Sequence, residues 1–329
     1  GLALLDPITG RFETGTADDP LIPGLRDRRA MTLLIDSEGD LWIGTMTGGL
    51  HNYDAGDGKK GRDRMVVYTN DKLDVGSLSA NGIMSLLEDH DGRIWVGTHG
   101  GGVSVLDRIT GKFIQLRHDP SRPESLSGPR ATTIAQTPDG AIWVGTDDAG
   151  LNLYDPLIGG FHHFRAEPDD SSSLPSDIIY TSHVDDAGTL WLGTARGDLV
   201  QVVGSGLDPE AVRFEVIENI SLRINAIYGI QSDSQGTLWM STSNGLWRYQ
   251  PRDGSIKSFG RSHGLQGEEF NFGAHTRGPN GMLYFGGSNG LNAFFPEAIE
   301  VSTEAPPVVV SRLLVLNTPA QTELPHPLV

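Results

Sequence analysis

Apolar and polar positions along this chain alternate in short runs, and glycine, proline and aspartate punctuate almost every gap between runs. Residues 82–117 show the unit most clearly. GIMSLLED is an apolar run of strand length. HDGR follows as a turn, with Asp91-Gly92 supplying the positive φ that a tight hairpin requires. IWVGT is a second strand and VSVLD (103–107) a third. RITGK turns the chain again into FIQLR (113–117), whose apolar residues alternate. The pattern therefore predicts four short strands joined by hairpins, and no segment has the period of a long amphipathic helix.

The same unit returns along the whole chain. Its second strand reads LWIGT (41–45), IWVGT (94–98), IWVGT (142–146), LWLGT (190–194), LWMST (238–242) and LYFGG (283–287). The aromatic anchors are Trp42, Trp95, Trp143, Trp191, Trp239 and Tyr284, spaced by 53, 48, 48, 48 and 45 residues. A turn glycine precedes each anchor, and an aspartate lies three residues ahead of that glycine at Asp36, Asp89, Asp185 and Asp233. Four strands per repeat of this length predict an all-β fold, a β-propeller of six four-stranded blades. One aromatic at the same place in every blade is expected to fill the wedge between neighbours, buried, rather than to bind a ligand. Leu78, Leu126 and Leu174, each following a serine in a linker, are expected to plug the same gaps.

The two ends depart from the repeat. Residues 1–16 match only the third and fourth strands of a blade (compare GVSVLDRITGKFIQL at 102–116). They are expected to be a partial blade, as in a seven-bladed parent. Residues 17–299 carry the propeller. Residues 300–329 read as a linker followed by a new alternating strand, PPVVVSRLLVLN (306–317).

Charge narrows the partners. The chain has 25 basic and 42 acidic residues among 329, a net charge of −17. That balance disfavours nucleic acid and anionic membrane surfaces as partners, since both need a basic footprint. Cysteine is absent, so there is no disulfide, thiolate metal site or cysteine nucleophile. No apolar run is long enough for a membrane helix.

The blades at 36–54, 89–107, 185–194 and 233–249 resemble the two-component regulator propeller family. Its repeat runs Asp-x-x-Gly-x-[Leu/Ile]-Trp-[Ile/Val]-Gly-Thr, then Gly-Gly-Leu and an aromatic-Asp. GLQGEEFNFGA (264–274) with the segment after it resembles the end of the second propeller in these sensors. PPVVVSRLLVLN resembles the first strand of the immunoglobulin-like sandwich that follows. The resemblance weakens at GTARGDLVQVV (193–203) and at Tyr284. It implies a periplasmic, ligand-sensing ectodomain of a membrane-anchored, homodimeric regulator. The output domain would be a histidine kinase or a diguanylate cyclase.

No hydrolase, zinc-protease, nucleotide-loop or dinucleotide motif is present, and neither a cofactor nor a metal site is expected. HGGGV (99–103) is a hairpin, and DAGDGKKGRDR (54–64) lacks the alternating acids of a calcium loop. A ligand is expected at one end of the axial channel. Loops running into the first strand of each blade place Arg29, Asn81, Arg130, Asp177, Asn225 and Asn271 there. The hairpins between second and third strands add His99, Asp147 and Arg196. Arginine forks suit a carboxylate or sulfate, and asparagines suit the hydroxyls of an oligosaccharide. Arg130 is the expected anchor for an anionic ligand. Two alternatives remain: a propeller lyase or glycosidase built on His99 with Asp147, and a protein-interaction scaffold.

Overall fold

A computed structural model describes residues 2–6, 9–14, 22, 24–54, 64–218 and 226–299, and the backbone at 314–315 and 318–319. It is a β-propeller. Five blades are four-stranded antiparallel sheets in simple sequence order, with inner strands Ala30–Ile35, Ile83–Glu88, Ala131–Gln136, Ile179–Val184 and Ile227–Ser232. The sixth shows three strands among the described residues: Phe270–Arg277, Leu283–Gly287 and Gly290–Phe294. Ala3–Leu5 pairs with Phe12–Thr14, and neither strand pairs with the sixth blade. Residues 55–63, within the DAGDGKKGRDR segment, lie outside the described residues. So does most of the tail, within which Leu314–Val315 pairs with Thr318–Pro319.

The anchor tryptophans fill the wedges between blades. Trp42, Trp95, Trp143, Trp191 and Trp239 are each at most 3% exposed and pack against the following blade. Leu78, Leu126 and Leu174 are buried in the same wedges. Tyr284 differs from expectation: it is only partly buried. Its face of blade 6 has no tightly packed successor. Inner strands lie side by side from blade 1 to blade 6, but blade 6 meets blade 1 over a smaller patch, where Gly273 approaches Met31.

The recurrent aspartate has a double role. Asp89 accepts from the Arg93 and Asp91 amides through one oxygen, which closes the hairpin turn. Its other oxygen accepts from the Trp95 indole N–H at 2.7 Å. The same bond joins Trp42 to Asp36, Trp191 to Asp185 and Trp239 to Asp233, while Thr137 replaces the aspartate under Trp143. A buried indole N–H needs an acceptor. Tyr284 has no such donor, and the matching residue there is Gly278.

Candidate functional site: the channel mouth

The inner strands all begin at one end of the ring, and the hairpins between second and third strands return to that end. A backbone bond ties the two loops together in each blade: Met46 N–H to Arg29 O, His99 to Gly82, Asp147 to Arg130, Ala195 to Ile178, Ser243 to Ala226 and Ser288 to Glu269. The described members of both predicted residue sets therefore surround one mouth.

Their side chains fall into three groups. The guanidinium of Arg29 is held by Asp27 at 3.1 Å and by Thr47, and that of Arg130 by Asp147 and, at 3.2 Å, by Asp148. These carboxylates hold the proton on Arg130 more firmly, and the Arg29 contacts pull Asp27 well below the usual carboxylate range. Asn81 and Asp177 are turned into the linkers, where their Oδ1 atoms accept from the Asn70 and Ala166 amides at 2.7 and 2.8 Å. His99, Arg196 and Asn271 are exposed on the rim. Asn225 lies outside the described residues. The proposed His99–Asp147 pairing is not formed, since the Asp147 carboxylate faces Arg130.

A further set lies just inside the rim. Each of the first five inner strands has a register break at its second residue, which leaves Met31, Met84, Thr132, Tyr180 and Tyr228 out of the ladder. A bulge of this kind re-aims the side chain it carries. In blade 6 the break is wider and includes Phe272. Tyr180 stacks on Tyr228 with centroids 6.0 Å apart, and it meets Phe272 edge-to-face at 5.6 Å. That second contact joins blade 4 to blade 6 past blade 5, so the rings reach over the channel. Partial burial, then Tyr180 and Glu269 nearby, raise the pKa of Tyr228. The five regular positions could have been found in the sequence, because each stands eleven residues before its anchor tryptophan.

Deeper in the channel, His183 lies 2.8 Å from Ser232 Oγ, and Gln231 donates to His275 Nδ1 at 2.9 Å. His275 lies against Gly229, where any side chain would collide with it. Desolvation holds both histidines near pKa 4. Asp186 and Arg277 close this level with an ion pair at 3.0 Å. Ser232 with His183 has the separation of a nucleophile and its base. Ser232 is nonetheless 1% exposed, and among the described residues no carboxylate is bonded to His183 Nδ1 to orient it. The described residues contain no cluster of three or more groups able to hold a metal ion.

Residues 24–47, 77–100, 125–148 and 221–244 match the repeat described as "Two component regulator propeller". These four segments of the chain carry the two-component regulator propeller repeat. The fourth blade, where Gly-Gly-Leu is lost, is not among the matched segments. Similar solved structures include the extracellular domain described as that of a hybrid two component system, BT3049 from B. thetaiotaomicron. It is 21% identical with a TM-score of 0.66, over 82% of this chain and 34% of that one. The extracellular domain of BT4673 from the same organism is 20% identical with a TM-score of 0.64, over 94% and 39%. Virginiamycin B lyase from Staphylococcus aureus, an enzyme, is 15% identical with a TM-score of 0.60, over 88% and 86%. At these identities the likeness is one of fold. The chain spans between a third and two fifths of the two ectodomains' length. No curated protein matches it significantly.

Proposed function

We propose that this regulator propeller is an extracytoplasmic ligand-sensing unit, without catalysis of its own, of a membrane-anchored signalling protein. The single observation that supports this reading most is the convergence of rim and throat residues from all six blades on one mouth. Polar groups that converge on a concave face are what a small-molecule site needs. The repeat family and the ectodomains of similar fold supply the regulatory context. A homodimeric parent in the periplasm, with a histidine kinase or diguanylate cyclase as output, is the arrangement in which such a unit would act. The ligand is a small molecule or an oligosaccharide. Of the rim residues, Arg196 and His99 are the free groups best placed to meet it. Arg29 and Arg130 help to shape the rim through their carboxylate partners.

A thermal-shift screen of small molecules and oligosaccharides tests this. A ligand should raise the melting temperature of the native chain, and Arg196→Ala with His99→Ala should weaken that rise at least tenfold in concentration. A ligand whose effect survives both changes and Tyr228→Ala would move the site away from this mouth.

A further inference from the structure

We propose that the mouth accepts a neutral compound through a planar aromatic ring, held between a methionine arc on blades 1 and 2 and an aromatic arc on blades 4 to 6. This deepens the ligand-sensing reading and rests on it.

The aromatic arc is Tyr180, Tyr228 and Phe272, whose ring contacts cross between blades. The methionine arc is Met31 and Met84, placed by the same register break, with Met46 half-exposed on the rim above them. Three of the six methionines of the chain thus stand at one mouth. Thioethers are soft and adaptable and make favourable contacts with aromatic ring edges. Tyrosine offers a large apolar face together with a polar tip.

Two observations choose among ligand classes. First, Tyr180 and Tyr228 are too close to admit an ammonium group between their faces, since their centroids are 6.0 Å apart and nearly parallel. They therefore form a continuous platform rather than a cation cage. Second, the charges of Arg29 and Arg130 are already met by Asp27, Asp147 and Asp148. Those two guanidiniums are thereby turned away from a guest, which leaves Arg196 on the rim to meet a polar substituent of the ring. Methionine beside aromatic rings suits an aromatic ring better than a sugar, which needs many hydroxyl partners.

The full chain labelled with 13C at the methionine methyl groups tests this directly. Indole, cyclohexanol and cellotetraose serve as probes, because an aromatic ring shifts methyl signals near its face. Indole should move the Met31 and Met84 signals saturably and leave buried Met240 unmoved. Cyclohexanol should move them at least tenfold more weakly. Tyr228→Ala should abolish the response, and Tyr228→Leu, which keeps bulk in the bulge, should weaken it at least tenfold. If cellotetraose moves these signals and indole does not, the aromatic class is overturned while the sensing mouth stands. If a ligand from the thermal screen binds and the methionine signals stay still under every probe, the arcs are overturned as a site.

Discussion

The wedge between blades 3 and 4 and the seam between blades 6 and 1 have the same sequence design and opposite outcomes. In the first, Trp143 is sealed under Leu174, Leu190 and Phe214 of the next blade. At the seam, the equivalent Tyr284 is only partly covered. The position of Leu33 on blade 1 is 55% exposed, whereas its counterpart Ile134 on blade 3 is 8% exposed. Leu291 on blade 6 is 37% exposed, and its counterpart Leu246 on blade 5 only 1%. Burial here comes from the neighbouring blade and not from the blade itself. Each blade is a sheet with two apolar faces, and it is stable only when both are covered.

The largest effect that tests this difference is truncation of an anchor. Trp143→Ala removes a ring packed on both sides and should cost about 3–5 kcal/mol. Tyr284→Ala removes a ring packed on one side and should cost about 1 kcal/mol. Urea denaturation of both variants measures the gap. Equal losses would mean that the seam is as well packed as the wedges.

Removing the clasp beneath the anchor should rank next. Burial works against the charge of Asp89, but the Trp95 indole, the Arg93 amide and the Arg93 guanidinium outweigh it and hold the carboxyl below its usual range. Asp89→Ala leaves a buried indole donor without its acceptor and should cost about 2–3 kcal/mol. The replacement at the matching position of blade 6, Gly278→Asp, has no indole to serve, and Asn280 already accepts from the Met282 amide in that turn, so it should bring no gain. A stabilised Gly278→Asp protein would show that the aspartate acts through the turn alone.

The interior also differs from the seam in its response to acid. His183 and His275 sit between blades 4, 5 and 6, facing Ser232, Asp185, Asp186, Arg277, Gln231 and each other. Folding lowers both pKa values to about 4 from the ordinary 6.5. Between these values the unfolded chain binds more protons than the folded one. The stabilisation from neutral histidines is therefore complete above pH 6.5 and is lost as pH falls through the window to 4. Partial exposure moderates the effect to about 2 kcal/mol in all. His183→Gln should flatten part of the slope in this window. A slope unchanged in that variant would assign it to the carboxylates, whose own losses begin below their ordinary pKa.

The blades were legible in the sequence because their signals are local. The turn glycines at Gly92 and Gly140 adopt positive φ, and the alternation of IWVGT places Trp95 in a wedge. The partial burial of Tyr284 was not legible, because it depends on how the ring meets itself and not on any motif. The described loops of both sets lie at one end of the ring, as their place before or after a strand implies, but the direction of their side chains was hidden in the sequence. Asn81 and Asp177 look like rim polar groups in sequence, and their amide partners in the linkers appear only in three dimensions. The throat residues were missed because Met31, Met84, Thr132, Tyr180 and Tyr228 differ in type and share only a position. A register break gives that position its meaning.

The smallest expected effect is at the seam surface. Ile35 is 71% exposed, yet its counterparts Glu88 and Gln136 reach back to the preceding blade. Glu88 accepts from the Ser37 amide and hydroxyl, each at 2.7 Å, and Gln136 accepts from the His90 amide at 2.8 Å. At blade 1 the position holds an apolar side chain with little to cover it. Leu33→Ser and Ile35→Ser should therefore change stability by no more than about 0.5 kcal/mol, as exposed substitutions do. Ile134→Ser, on the well-packed wedge, should cost about 2 kcal/mol or more, because it buries a hydroxyl where an aliphatic chain was packed. The pair of seam changes should also raise solubility, since a contiguous apolar face favours self-association. Light scattering against concentration reads that second effect. A seam variant that loses as much stability as Ile134→Ser would show that blade 6 covers Leu33 in solution, and the comparison between wedge and seam would then fail.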